Sequence, residues 1–224
     1  MGKDRRPVNS FDERAATWDD AAKIERAAVV ARTIGETIPL ESTMRVLEYG
    51  AGTGLVTQAL RTSVGPVTLV DTSAGMRDVM ADKVARGIIP DARIWSLDLS
   101  TDEPSDEPSD EEFDLIVTVL TLHHIPDIDP VLAAFATLLA EDGHVCIVDL
   151  EAEDGSFHGD DFHGHHGFEP SSLTARLEAA GFTDVSFRRC GEIERDSGTY
   201  PLFLATASVR GDGAHGPAGG QRDA

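Results

Sequence analysis

From Met44 onward the apolar positions fall into short runs, at 44–49, 66–71, 92–95, 113–120 and 143–150, the length of buried strands. Between these runs the apolar spacing turns helical, at 53–63, 73–86 and 127–140. Regular alternation of this kind predicts a parallel sheet with helices on both faces. The end of the chain breaks the rhythm. A helix is predicted at 170–180, then two strands at 183–189 and 201–209 with no helix between them, the pattern of an antiparallel hairpin closing the sheet. Ahead of the first strand, residues 10–38 carry apolar side chains at helical spacing (Ala16, Ile24, Ala27, Val30, Ala31, Ile34), with Ser10 and Asp12 as candidate caps.

Two segments fit neither pattern. Residues 100–112, "STDEPSDEPSDEE", hold seven acids and no apolar side chain, and read as a solvated, disordered loop. The end from Gly211, "GDGAHGPAGGQRDA", reads as a flexible tail. The expected organisation is thus a helical lid over 1–43, an α/β domain over 44–210 and a tail over 211–224.

Composition narrows the function. The 224 residues suit one α/β domain, and no apolar run approaches the roughly 20 residues of a membrane span. The first residues lack an apolar signal core, and the two cysteines, Cys146 and Cys190, suggest no disulfide framework, so a cytoplasmic location is expected. A net charge of −21, with only three lysines among 19 basic residues, repels phosphate backbones and argues against a nucleic-acid partner. A monomer or homodimer acting on a small molecule, without membrane insertion, is expected.

The chemistry concentrates in "VLEYGAGTG", Val46 to Gly54. A glycine-rich turn after a strand lets a ligand approach the backbone, and the helix behind it offers N–H groups. Three acids accompany the turn: Glu48 before it, Asp71 at the end of "VTLVD", and Asp98 in "SLDLS". Asp71 follows Gly50 by 21 residues, where a carboxylate holds a ribose diol. Asp98, one strand further out, lies at the distance of an adenine amino group. Three acids and no basic residue on this path suit a cationic nucleoside better than a pyrophosphate.

These motifs, with "FDLIVTVLTLHHIPD" at 113–127, resemble the class I S-adenosylmethionine-dependent methyltransferases, nearest the type 11 and ubiquinone/menaquinone-type small-molecule group. "FDERAATWDD" is similar to their N-terminal lid, and "EDGSFHGDDFHGHHGF" to a segment after strand five in some of them. The resemblance implies a Rossmann-like, seven-stranded mixed sheet, its last strand antiparallel, with helices on both faces. It also implies S-adenosyl-L-methionine as cofactor and methyl transfer to an O, N, S or C nucleophile of a small molecule. Glu48 and the backbone of Gly50 and Gly52 would surround the methionine part, and Tyr49 and Ala51 of the same turn would also belong to the cofactor site. Asp71 would hold the ribose, Thr72 and Met76 would flank the adenine, Asp98 and Leu99 would meet its edge, and Val119 to Leu122, with Val119 and Leu120 as cofactor contacts, would pass beneath the sulfonium. Tyr49 is bulky where many relatives carry a small residue, so its ring should point away from the cofactor.

Histidines supply candidate acceptor chemistry, since their unperturbed pKa lies near neutrality. His123 and His124 follow the fourth strand, and His124, His123 or His166 is the expected base. Phe11, Trp18, His163 and His165 are candidates for a lid or substrate contact. His158, His163, His165 and His166 with Asp160 and Asp161 have spacings that a metal accepts, although no metal is expected there. Two other readings compete: an NAD(P)-dependent oxidoreductase, and a non-enzymatic S-adenosylmethionine-binding protein. Against the oxidoreductase, the glycines run G-x-G-x-G rather than G-x-G-x-x-G, and no Tyr-x-x-x-Lys occurs.

Overall fold

The computed structural model describes residues 10–101, 111–159 and 162–209. Most of the acidic segment, the tail, Asp160 and Asp161, and residues 1–9 at the start of the expected lid lie outside the described residues. The elements in order are α1 (Ser10–Arg14), α2 (Ala21–Gly35), β1 (Val46–Tyr49), α3 (Leu55–Leu60), β2 (Val67–Val70), α4 (Ala74–Ala85), β3 (Arg93–Trp95), β4 (Phe113–Val119), α5 (Asp129–Leu138), β5 (Leu139–Leu150), α6 (Pro170–Ala179), β6 (Phe182–Arg195) and β7 (Gly198–Val209). Short 3₁₀ turns occupy Ala15–Thr17 and Leu122–His124.

The strands form one seven-stranded sheet in the order β3-β2-β1-β4-β5-β7-β6. β1 to β5 are parallel, and β7 runs antiparallel to both β5 and β6. β1 and β2 are buried on both faces, as continuous apolar runs in a covered parallel sheet must be. Side-chain alternation sends Val46 and Glu48 to the face under α2, α3 and α4, and Leu47 and Tyr49 to the face under α5 and α6. The strand order reverses between β1 and β4, so a crevice opens at the carboxyl ends of these two strands.

The N-terminal helix predicted at 10–38 is instead broken. Asp20 adopts extended geometry (φ −85°, ψ 165°) and its carboxylate accepts from the Lys23 amide at 2.8 Å, which starts a new helix there. The buried stripe of α2 begins at Ala27, leaving Ile24 49% exposed. The Asp12 carboxylate crosses to the entry of α4, as described below. β5 begins at Leu139, inside the predicted helix, and β6 and β7 are longer than predicted because the hairpin continues its ladder to Arg195–Gly198.

Candidate active site

A cavity of about 430 Å³ occupies the crevice, walled by the glycine turn, the tips of β2 and β4, the segment after β3, and the lid. Gly50, Gly52 and Gly54 all take left-handed backbone angles (φ 69°, 57° and 77°). At Gly50 there is no room for anything larger: a Cβ would stand 2.3 Å from the Thr121 side chain. β1 and β4 can therefore approach each other closely at their tips. Leu120 also has positive φ, 52°, a strained angle for a side-chain-bearing residue and one that clusters at binding sites.

The amides of the turn are engaged from within the protein. Gly52 donates to Asp71 Oδ2 at 2.8 Å, Ala51 to the Val70 carbonyl at 2.9 Å, Gly54 to the Ala51 carbonyl at 2.8 Å, and Thr57 to Glu48 Oε2 at 2.9 Å. Two of the N–H groups expected at the start of the helix, those of Gly54 and Thr57, are thus taken. The other Asp71 oxygen accepts from the Ser73 amide at 2.8 Å, so this carboxylate joins the glycine turn to the entry of α4. Burial raises the Asp71 pKa, and the two amides oppose the shift. Glu48 is wholly enclosed, and burial pushes it up to about 7 against the Thr57 hydrogen bond and the Lys83 charge.

Glu48, Tyr49, Gly50, Ala51, Gly52, Asp71, Thr72, Met76, Asp98, Val119 and Leu120 all line the cavity. Leu99 does not: it packs into the apolar cluster under α5 while its amide donates to the Tyr49 hydroxyl, and Leu97 takes the place on the wall. The Tyr49 ring meets Phe135 edge-on on that same face. Asp98 is exposed and accepts from the Ser100 amide and hydroxyl.

The lid is closed by acids whose role the sequence did not show. Asp12 Oδ1 accepts from the Ser73 hydroxyl at 2.6 Å and the Gly75 amide at 2.9 Å. Asp19 accepts from the Thr53 hydroxyl, and its other oxygen lies 2.6 Å from Lys83 Nζ. Phe11 and Trp18 meet edge-on (5.8 Å between centroids), and Phe11 meets His124 in the same way (5.4 Å). Lys23 and Arg26 of α2 reach the cavity as well, so the expectation that no basic residue lines this path is corrected. Helical periodicity marked the buried face of α2, and nothing local signals that its polar edge turns toward a strand tip far along the chain.

Of the histidines, His124 meets the main cavity. His123 is buried, its Nδ1 2.6 Å from Asp149 Oδ1 and its ring stacked obliquely on His124. Burial, reinforced by His123 and His158, lowers the His124 pKa to about 3, and burial lowers His158 to about 4. His163, His165 and His166 do not line the main cavity. The loop that bears them passes behind the pair, the His165 amide donating to the His123 carbonyl at 2.7 Å. His166 instead faces Glu153, at 3.2 Å. His158 leaves that loop group and joins His123 and His124.

Comparison with known proteins places this architecture. The sequence matches the family profile described as a methyltransferase domain over residues 21–186. The chain belongs to that family. It is 33% identical over 158 residues to an uncharacterized methyltransferase of Schizosaccharomyces pombe, covering 65% of this chain and 55% of the relative. A malonyl-[acyl-carrier protein] O-methyltransferase of Geobacter sulfurreducens is 26% identical over 239 residues, covering 97% of this chain and 85% of that protein. The fold of this methyltransferase-family chain also matches the crystal structure of the N-methyltransferase NodS of Bradyrhizobium japonicum, solved with S-adenosyl-L-homocysteine. The TM-score is 0.67 at 18% identity, over 90% of this chain and 97% of that one. The chain spans about half the length of the S. pombe relative and only 7% and 3% of two large synthases it also matches.

Proposed function

We propose that this methyltransferase-family protein binds S-adenosyl-L-methionine in the crevice and methylates a small-molecule nucleophile presented at the His124 wall. The observation that carries this reading is the engagement of the glycine turn. The amides of Ala51, Gly52, Gly54 and Thr57 are bonded to protein oxygens, and the strand tips beside the turn present Glu48, Asp71 and Asp98, acids that repel a pyrophosphate and suit a cationic nucleoside. The residues present fit the group: Asp71 would take the ribose hydroxyls, Thr72, Met76 and Asp98 the adenine side, and Glu48 with the Gly50–Gly52 backbone the amino-acid part. Arg26, among the described residues without an ion-pair partner, stands where a carboxylate could be received. When bound, the cofactor supplies an electrophilic methyl group on a sulfonium.

The protein's own task is alignment and exclusion of water. Phe11 and Trp18 cover the cavity from the lid, and the close approach at Gly50 lets the tips of β1 and β4 narrow its floor. His124 stays neutral at physiological pH because its pKa is about 3, so it accepts a hydrogen bond from an acceptor rather than storing a proton. Such a wall suits acceptors that ionise easily, a thiol, an acidic carbon or a carboxylic acid, or one activated by a further group.

The test is calorimetric titration with S-adenosyl-L-homocysteine and, separately, NAD. Binding of the former is expected, with thermal stabilisation of about 2.7 kcal/mol at 100 times its dissociation constant. NAD binding with S-adenosyl-L-homocysteine ignored would replace this reading with the oxidoreductase one. Once an acceptor is found, His124→Gln is expected to lower turnover about 3- to 10-fold, the worth of one hydrogen bond, leaving affinity for S-adenosyl-L-homocysteine within about threefold. Unchanged turnover would move the acceptor away from the His124 wall.

A further inference from the structure

His123, His124 and His158 come from two separate turns, one after β4 and one after β5, and pack together. One nitrogen from each ring lies within 4.8 Å of the other two. The ring centroids are 4.1 Å apart for His123 and His124 and 5.1 Å for each pair with His158. Three features separate this cluster from an ordinary stack of aromatic side chains.

The first is Asp149. Its carboxylate is wholly buried at the end of β5, 2.6 Å from His123 Nδ1, and its second oxygen accepts from the His123 amide at 3.3 Å. With Nδ1 donating its proton to Asp149, Nε2 of His123 keeps a free lone pair and a fixed direction. A carboxylate behind an imidazole is the arrangement that orients metal-binding histidines and raises their donor strength. The second is His158 Nε2, which is sealed from solvent and has no hydrogen-bond partner among the described residues. A buried, unpaired ring nitrogen is costly unless something fills it. The third is the support around the rings. Phe162 stacks on His158 at 3.9 Å and 16°, Phe157 meets it edge-on at 4.7 Å, and Phe11 meets His124 at 5.4 Å, so each outer ring is held by an apolar neighbour.

We propose that His123, His124 and His158 form a binding site for a divalent transition-metal ion of the zinc class, with Asp149 as its positioning carboxylate. Three neutral imidazoles and one open position are the ligand set of catalytic rather than structural zinc. A tetrahedral ion about 2.0–2.1 Å from each nitrogen sets them roughly 3.3 Å apart. The rings therefore close on the ion by no more than about 1.5 Å, a movement His124 and His158 can supply while His123 stays anchored. Because His124 is part of the cavity wall, the open position is available to an acceptor's oxygen, nitrogen or sulfur, which then binds the ion in place of the hydrogen bond to His124. An acceptor O–H or S–H that binds the ion there releases its proton to water, leaving the heteroatom as the nucleophile. That consequence rests on the methyltransferase reading, whereas the metal site itself does not. The site differs from the loop group His158, His163, His165 and His166 considered from sequence, sharing only His158 with it.

The experiment uses the whole chain, stripped with EDTA and desalted, with no S-adenosylmethionine or homocysteine present. Zn²⁺ is titrated by calorimetry and Co²⁺ by visible absorption. The site requires one ion per chain, a Zn²⁺ dissociation constant of about 1 µM or tighter, and the intense bands of tetrahedral Co²⁺. His158→Ala should weaken Zn²⁺ binding at least about 100-fold, and Asp149→Asn about 10- to 100-fold. His124→Gln serves in the same role as His158→Ala where the latter fails to fold. The triple variant His163→Ala/His165→Ala/His166→Ala should bind within about twofold of wild type. Wild-type binding weaker than about 100 µM, an octahedral Co²⁺ spectrum, binding unaffected by both His158→Ala and His124→Gln, or binding lost in the triple variant would each overturn the proposal. Because this titration contains no nucleoside and the homocysteine titration contains no metal, the two readings fail independently.

Discussion

At the scale of single residues, Asp71 and Glu48 each combine a structural bond with a place on the cavity wall. Asp71 was legible as a strand-tip carboxylate, but its bonds to the amides of Gly52 and Ser73 were not. Asp71→Ala is therefore expected to act twice. Loss of the proposed ribose bonds should weaken S-adenosyl-L-homocysteine binding about 10- to 150-fold, and two abandoned amides should lower stability by about 1–3 kcal/mol. Calorimetric titration and urea denaturation separate the two losses; a variant that binds normally would leave Asp71 with the structural bond alone. For Glu48 the fold favours the protonated acid, with a pKa of about 7 against an ordinary 4.5. A raised carboxylate pKa gives stability that is complete below about pH 4.5 and is lost as the pH rises through 7. Glu48→Gln stays neutral, so its stability relative to wild type should rise by on the order of 3 kcal/mol between about pH 4.5 and 8. A difference that stays constant with pH in urea melts would show Glu48 ionised throughout.

At the scale of elements, the lid is held down by one short contact in particular. Gly75 lies in the first turn of α4, and a Cβ there would stand 2.8 Å from the Asp12 carbonyl oxygen and 2.9 Å from its Cα. Backbone cannot yield as a side chain does, so Gly75→Ala should push α1 away and break the Asp12 bonds to Ser73 and Gly75. The helix itself should not suffer, since alanine is the better helix former. Limited proteolysis is expected to cut the 10–20 segment about tenfold faster in Gly75→Ala, at a rate that follows opening of the lid. An unchanged cleavage rate would mean that Phe11 and Trp18, not the Asp12 bonds, keep the lid shut. Element types and order were legible because each strand and helix carries its own period. The break in the N-terminal helix was missed because Asp20 reads as one more polar residue until its extended backbone is seen to cap α2.

At the scale of the whole molecule, the net charge of −21 is the dominant property. Among the described residues no helix is long and apolar enough to cross a membrane. Forty acids against 19 basic residues repel one another more in the compact chain than in the unfolded one. Raising salt from about 0.01 to 1 M shortens the screening length from about 30 to 3 Å. The melting temperature should rise with it, a relief of about 1–2 kcal/mol corresponding to about 2–8 °C for a chain of this size. A fall over the same range would show that ion pairs such as Arg45–Asp114 and Lys83–Asp19 outweigh the repulsion.

What the sequence determined by itself was everything written in local chemistry. The alternation of strand and helix, the glycine turn with its acid, the carboxylate at the tip of β2 and the closing hairpin all follow from spacing within some ten residues. Tertiary structure decided which distant side chains meet. Asp12 reaches Ser73 across 61 positions and Thr53 finds Asp19 across 34, because the lid folds back over strand tips that the parallel crossovers bring to one edge. The same edge gathers His123 and His158 while leaving His163, His165 and His166 off the main cavity. Sequence proximity had grouped the histidines by loop, but the buried Asp149 at the end of β5 orients His123 toward its neighbours. A side chain's own period says which face it takes; only the packed sheet says what stands opposite.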